Sequence, residues 1–275
     1  MFKSGFETSP ETWKLWTRVV SVNDFNKNSV VKFSEFSALD EVTGGKAYKY
    51  GQFSDKQEQF SIGTYGNLFA INREAIINDN LNVLTSIPES FGRAAARTIG
   101  NVVYKVLTTN AALSDTVALF HADHKNLGTG APTVANFDLA RTKMATQKDI
   151  SGTATLNIVP AYVLTPTELE GVSKVIVSSQ YDPTSTKNAN VPNMVNGIAT
   201  VISDPRLSLN SATEWYMVAD PNIFDTVVVA LLEGKETPTL EQKTGWTIDG
   251  VEYKVRIDCG AAAIDHRGMF KSSGV

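Results

Sequence analysis

The sequence predicts an α+β fold in which a long amphipathic helix packs against strands from several parts of the chain. Apolar residues recur every three or four positions between residues 87 and 109, the spacing of one helix face. Residues 30–77 instead alternate apolar and polar side chains, as half-buried strands do. Two apolar runs near the carboxyl end, residues 226–232 and 251–259, are typical of strands in a core.

The composition is that of a folded protein whose main task is not to bind nucleic acid. Of its 275 residues, 42% are hydrophobic and 20% are charged, which argues against a disordered scaffold. The formal net charge is −4 without a lysine-rich run, whereas a dedicated DNA-binding protein normally carries a basic stripe. The single cysteine, Cys259, excludes an internal disulfide framework and a cysteine-rich metal site.

Targeting signals are also missing from the sequence. No apolar run approaches the roughly 18 residues that a membrane-spanning helix needs. The first residues lack the long apolar core of a signal peptide. We therefore expect no membrane partner and a cytoplasmic place of assembly.

Residues 1–30 mix isolated aromatic side chains with polar ones and show weak periodicity. One interpretation is an arm that packs on a neighbouring subunit, with Trp13 and Trp16 as candidate anchors, because buried tryptophans often dominate interfaces. The other is a frayed terminus with one short helix over residues 11–20. The sequence leaves both interpretations open.

Residues 31–77 are expected to form a long, polar, two-stranded excursion. Turn signals at residues 44–45 (Gly-Gly) and 54–55 (Ser-Asp) place its tip between Gly44 and Lys56. A long hairpin with few apolar residues near its tip is poorly stable alone. It is therefore either a flexible loop or a segment that a partner covers, and its candidate interface residues are Lys46, Tyr48 and Tyr50.

The strongest local signal is the helix over residues 87–109. Ser86 and Glu89 fit a capping box at its start, and Asn110 suits a left-handed residue at its end. At about 1.5 Å per residue the helix is about 34 Å long, the length of a spine on which other layers rest. Its expected buried face consists of Phe91, Ala95, Ile99, Val102 and Val106.

The segments that follow combine helix and strand signals. A second amphipathic helix is expected over residues 136–148, after a loop-rich stretch. Residues 156–164 predict a strand that leads into a helix beginning at residues 165–168 (Thr-Pro-Thr-Glu). Two more strands, residues 197–202 and 215–219, complete an α/β segment.

Several unusual runs follow one another as they do in a known family. The runs are residues 36–42 (FSALDEV), 48–51 (YKYG), 66–79 (GNLFAINREAIIND), 87–97 (IPESFGRAAAR), 118–127 (ALFHADHKNL), 156–160 (LNIVP) and 165–166 (TP). In these runs the chain is similar to the major head subunit family of Mu-like phages and prophages. The resemblance extends from about residue 30 to the carboxyl end, and its central block is the specific part.

This resemblance implies the Hong Kong 97-type capsid fold of tailed bacteriophages. The chain would then be a major capsid protein that self-assembles into pentamers and hexamers of an icosahedral shell. The shell would enclose packaged double-stranded DNA without sequence-specific binding. A capsid-fold nanocompartment or gene-transfer particle is an alternative with the same subunit architecture. The implied parts are an N-terminal arm (1–30), an extended hairpin loop (31–77), a peripheral domain with the spine helix (78–150), an axial domain (151–220) and a return to the peripheral domain (221–275).

The family also implies partners and a location. We expect a homo-oligomer that meets a scaffold, a maturation protease, a portal and decoration proteins, assembles in the bacterial cytoplasm and ends in the virion. Many relatives lose an N-terminal scaffolding region or a protease during maturation. Because residues 1–30 match the family only loosely, we expect a processed product, a trimmed chain or a separate scaffold.

Residues 121–124 (His-Ala-Asp-His) are the motif that most resembles a chemical site. Imidazoles and carboxylates bind zinc, so a remote alternative is a metal-dependent hydrolase that uses His121, Asp123 and His124. A closed site needs further ligands, and His266 and Cys259 are far along the chain. Within the family match, hydrogen bonds that fix the loop after the spine helix are the expected role. We therefore expect no metal, no cofactor and no enzymatic activity.

Two other chemical possibilities have less support. Cys259 and His266 resemble a nucleophile pair only in composition, because no glycine-flanked nucleophile elbow surrounds Cys259. Some relatives link a loop lysine covalently to a neighbouring asparagine, and three lysines lie in the matching region. We expect these to be simply solvated or paired with acidic neighbours, and no cross-linking site is assigned: Lys46, Lys49 and Lys56.

Overall fold

The computed structural model describes residues 2–33, 55–78, 87–152, 154–185, 191–244 and 249–275, and it confirms an α+β fold. The α-helices are α1 (Phe2–Glu7), α2 (Arg73–Ile77), α3 (Ile87–Thr109), α4 (Val134–Ala145), α5 (Glu170–Ser178) and α6 (Pro205–Asn210). The strands are β1 (Arg18–Val22), β2 (Asn28–Phe33), β3 (Asp55–Phe60), β4 (Gly63–Asn72), β5 (Leu127–Gly128), β6 (Pro160–Thr165), β7 (Thr200–Ser203), β8 (Trp215–Ala219), β9 (Val227–Leu232), β10 (Thr239–Thr244), β11 (Gly250–Ala263) and β12 (Met269–Ser272).

The first sheet joins strands from both ends of the chain. Its order is β1-β9-β11-β10, and β4 also pairs with β11. β1 runs parallel to β9, with Arg18 opposite Val228, so residues 18–22 are part of the sheet. The short helix that one interpretation placed over residues 11–20 is therefore wrong. The chain forms a 3₁₀ turn at Trp13–Leu15, and the strand begins at Arg18.

The second sheet has the order β5-β12-β8-β6-β7. Its strand β12 pairs antiparallel with β8, so the carboxyl-terminal residues return to this sheet rather than to the first. Helix α4 also packs here, with the Phe137 ring 4.9 Å from the ring of Trp215. Both α4 and β12, which lie outside residues 151–220, thus pack with strands from within that range. A four-residue strand such as β12 is too short to show a periodic sequence signal.

Helix α3 has the predicted bounds, but its buried face is rotated by about one position. Ala95 and Ile99 are buried as expected, whereas Val102 and Val106 are half-buried. Asn110 follows with φ +49°, the predicted left-handed end, while the capping residue Ser86 lies outside the described residues. The buried face combines small residues, which allow close packing, with larger apolar ones: Gly92, Ala95, Ala96, Ile99, Gly100, Val103, Tyr104 and Leu107.

Strand β9 is covered on both faces. Val227 and Leu231 pack in the core that α3 shares with both sheets, and Val228 packs in a separate core with Phe60 and Ile62 near the hairpin. A strand buried on both faces has no polar side to expose, so its sequence is a continuous apolar run. The same holds for β8, all five of whose residues are buried.

Candidate assembly surfaces

The two tryptophans of the amino-terminal segment lie inside their own subunit. Trp13 is 1% exposed and Trp16 is not exposed, and both belong to the core that includes α3. A side chain that is already covered has no area left to bury against a neighbour. Their expected role as intersubunit anchors is therefore corrected: the indoles hold residues 11–22 on the subunit that carries them.

A chain of hydrogen bonds orders this contact. The Trp16 indole donates to the Tyr104 hydroxyl (3.3 Å), and Thr12 donates to Asp204 (2.6 Å). Because the Thr12 hydroxyl donates its one proton to Asp204, the Tyr104 hydroxyl is the donor in its 2.6 Å hydrogen bond to Thr12 Oγ1. Burial raises the pKa of Tyr104, which keeps its hydroxyl protonated as this arrangement requires.

An ion-pair network lies beside these hydrogen bonds. Arg206 of α6 contacts Glu11 (3.0 Å) and Asp204 (3.1 Å), and its Nε donates to the Asn101 side chain of α3 (2.8 Å). Burial raises the pKa of the Glu11 carboxyl, although Arg206 opposes the shift. The network joins the amino-terminal segment, α3 and α6, and no sequence motif indicated it because its members are distant in the chain.

The base of the predicted hairpin is an antiparallel ladder. β2 and β3 pair from Asn28 opposite Phe60 to Phe33 opposite Asp55, whereas β4 pairs with β11 in the first sheet. Buried Glu58 of β3 accepts hydrogen bonds from the Ser114 amide (3.0 Å) and hydroxyl (2.6 Å). This contact fixes the hairpin base to the loop after α3. The candidate interface residues Lys46, Tyr48 and Tyr50 lie outside the described residues.

The motif at residues 121–124 does not act as one unit. His121 and Asp123 are exposed and contact each other at 3.2 Å. His124 is buried and contacts Asp115 and the Leu119 carbonyl instead, both at 3.1 Å. The neighbouring Asn126 side chain donates a hydrogen bond to the Leu119 carbonyl and accepts one from the His121 amide, which agrees with the expected role in fixing this loop.

Within the described part of the chain, the His, Cys, Asp and Glu side chains that converge closely enough to share an ion are Asp115, His124 and His266. This set does not include His121 or Asp123, so the hydrolase alternative loses two of its three proposed residues. Cys259 is buried in the core beside α3, and burial raises its pKa to about 12, with Asp258 adding to the shift. A thiol held in this form is a poor nucleophile.

Several large apolar side chains are exposed outside the cores. On α6, Leu209 is 90% exposed whereas Leu207 is 2% exposed. Ile223 and Met194, in loops near the second sheet, are similarly open. Exposed apolar groups of this size are candidate contacts for other protein surfaces.

Comparison with known proteins decides the family. The model of a family described as phage capsid protein matches residues 56–272, most of the chain. The chain belongs to this family. It is a shell-forming major capsid protein, and its structural role agrees with the expected one. No curated protein matches its sequence.

Solved structures show that the capsid protein has the Hong Kong 97-like fold. The capsid of Ralstonia phage GP4 is similar with a TM-score of 0.66, at 10% identity over 96% of this chain and 90% of that chain. The capsid of cyanophage P-SCSP1u gives a TM-score of 0.65, at 8% identity over 96% and 88%. A virus-like particle from Pyrococcus furiosus gives 0.52, at 12% identity over 99% and 96%. At such identities the likeness concerns the fold alone.

Among the described helices of the capsid protein, none is both long enough and apolar enough to cross a membrane.

Proposed function

We propose that this capsid protein assembles into pentamers and hexamers, which form an icosahedral shell around packaged double-stranded DNA of a tailed phage or prophage. The family match over residues 56–272 carries the proposal. Kinship with the Mu-like head subunits, assembly in the host cytoplasm, and contacts with a scaffold, protease, portal and decoration proteins are further parts of it.

The surface chemistry supports association between copies. Leu209 and Ile223 are at least 85% exposed, and their burial in a capsomer would remove apolar area from water. Each such contact is weak, but closure over many subunits multiplies its effect. The segment between β2 and β3 is proposed to lie over an adjacent subunit, where added contacts compensate for its polar composition.

The net charge of the chain supports a role as a shell subunit rather than as a DNA-binding protein. The net charge is −4 and the sequence pI is about 5.5. Such a wall attracts no phosphate backbone by itself, which suits a container that holds DNA and later releases it.

The direct test is negative-stain electron microscopy, with light scattering, of the purified chain expressed alone. We expect closed shells or rings of five and six subunits. Leu209→Asp should abolish them, whereas Leu209→Met, which stays apolar, should preserve them. Both variants should melt like the parent subunit because residue 209 contributes almost nothing to the subunit core. The protein remaining monomeric at every concentration, even when a macromolecular crowding agent is added, would contradict self-assembly.

A nanocompartment shell is the second candidate. It would use the same subunit fold, which a virus-like particle from Pyrococcus furiosus shares over 99% of this chain and 96% of that one, so the fold alone does not separate the two functions. The two functions differ in cargo. Particles purified from the native source that contain nuclease-protected DNA support the phage capsid, and particles that contain protein cargo without DNA support the nanocompartment.

A further inference from the structure

The buried imidazole of His124 faces a hydrogen-bond acceptor on each side. Its Nδ1 lies 3.1 Å from the Leu119 carbonyl oxygen, and its Nε2 lies 3.1 Å from a carboxylate oxygen of Asp115. A neutral imidazole carries one N–H and can donate to only one of these acceptors. With Nδ1–H given to the carbonyl, Nε2 presents a lone pair to a carboxylate. A cation between Nε2 and Asp115 resolves this conflict.

His266 adds a second imidazole to the same place. Its ring lies parallel to that of His124, with 3.8 Å between centroids and 6° between planes. One ligand atom from each of Asp115, His124 and His266 lies within 4.8 Å of the other two. Two imidazole nitrogens and one carboxylate oxygen therefore converge from three separate positions in the sequence.

We propose that Asp115, His124 and His266 form a binding site for a divalent transition-metal cation, with Zn²⁺ as the preferred ion. Imidazole nitrogen and carboxylate oxygen are zinc ligands, whereas Mg²⁺ and Ca²⁺ prefer all-oxygen sites. The hydrogen bond from His124 Nδ1 to a backbone carbonyl is the arrangement that orients metal-binding histidines elsewhere. Water supplies the fourth ligand of a tetrahedral ion.

Binding requires a small rearrangement for which there is room. Zinc bonds of about 2.0–2.1 Å hold tetrahedral ligand atoms about 3.3 Å apart, a spacing that Asp115 and His124 already have within about 0.2 Å, so His266 must approach them by up to about 1.5 Å. In the stacked arrangement the nitrogen lone pairs of His124 and His266 point in parallel directions and cannot both meet one ion. The His266 ring must therefore turn out of the stack. His266 is only half-buried, and it lines a cleft of about 280 Å³ into which its ring can turn and from which water can enter.

The position of the site gives the ion a structural role. Asp115 and His124 belong to the loop between α3 and α4, whereas His266 lies in the connection from β11 to β12. β11 belongs to the first sheet and β12 to the second. The ion would therefore cross-link the loop after the spine helix to the connection between the two sheets, and it would stabilise the folded subunit by binding it selectively.

The test uses the full chain as unassembled subunits, so that its outcome is independent of shell formation. Metal-free protein is titrated with Zn²⁺ by calorimetry, and the bound metal is counted by mass spectrometry after dialysis. We expect one zinc per chain, a higher melting temperature with zinc, and a visible Co²⁺ spectrum of tetrahedral nitrogen and oxygen coordination. His266→Ala and Asp115→Asn should each weaken binding at least tenfold.

The matched control is His121→Asn, which removes the exposed histidine of the same loop and should leave zinc binding unchanged. Failure to bind stoichiometric zinc would overturn the proposal. Equal loss in His121→Asn, or full binding in His266→Ala, would overturn it too. If Asp115→Asn lowers the melting temperature of the metal-free chain, its loss of zinc binding has a second explanation. The His266→Ala variant and the Co²⁺ spectrum then test the proposal, because replacing the half-buried His266 disturbs the fold less.

Discussion

Gly100 of the spine helix and Arg206 of α6 pack so closely that a methyl group on Gly100 would lie 2.6 Å from the guanidinium carbon. It would also collide with the Glu11 carboxylate. The glycine thus makes space on the helix for the ion pair that holds the amino-terminal segment. This relationship explains why a helix with so many alanines keeps a glycine near its middle.

Gly→Ala inside a helix normally stabilises by up to about 1 kcal/mol. Gly100→Ala should lose this gain in whole or in part, since the ends of the Glu11 and Arg206 side chains must shift to admit the methyl group. Gly171→Ala in α5 is the matched control, because a methyl group there meets nothing within 4 Å. Urea unfolding of both variants measures the difference. A Gly100→Ala variant as stable as Gly171→Ala would contradict this packing.

Trp16→Ala should unfold the subunit rather than disturb only its assembly. Truncation of a fully buried large side chain typically costs about 3–5 kcal/mol, and here the Tyr104 hydroxyl also loses a donor. The control is Phe25→Ala, whose ring is 51% exposed and should cost little. Chemical denaturation followed by circular dichroism compares them. A stable Trp16→Ala monomer that fails only in assembly would restore the intersubunit role.

By the same reasoning, truncation before Val30 should destabilise the subunit. The sequence alone left both an arm and a frayed terminus open, but residues 18–22 pair with β9 in the first sheet. Hydrogen exchange of β9 in the truncated chain is the measurement. Protection equal to that of the full chain would support the removable arm after all.

Glu58→Ala should loosen the hairpin base. It removes both acceptors that Ser114 uses, and because Ser114 is exposed and its donors can bond to water instead, we expect a loss of about 0.5–1.5 kcal/mol. Glu58→Gln keeps an oxygen acceptor and should lose less. Hydrogen exchange of β2 and β3 should rise in the alanine variant relative to the glutamine variant. Equal exchange in the two variants would show that this contact does not hold the hairpin.

Cys259 should resist alkylation in the native subunit at mildly alkaline pH. Burial raises its pKa to about 12, so almost no thiolate forms and reagent has no access. Iodoacetamide labelling followed by mass spectrometry should show reaction only after denaturation. Because the neutral thiol is favoured in the fold, its contribution to stability is present below its unfolded pKa and is lost only as pH rises toward 12. Rapid native labelling would show that the strand β11 opens readily.

Local sequence features determined much of the secondary structure. The spacing of apolar residues and the asparagine at its end predicted α3 within its observed bounds, because a long amphipathic helix carries its signal in every turn. β8 and β9 were predicted for a similar reason, since burial on both faces leaves a continuous apolar run. The order of these elements, together with the family resemblance, determined the fold class and the structural role.

Only the tertiary structure decided which distant residues meet. Three contacts join segments that are far apart in the sequence. They are the pairing of β12 with β8, the ion pair of Glu11 with Arg206, and the convergence of Asp115, His124 and His266. Such contacts leave no local periodicity, because they depend on where loops bring single side chains. For the same reason the tryptophans of residues 1–30 suggested an interface in the sequence, whereas packing against α3 places them in the core of their own subunit.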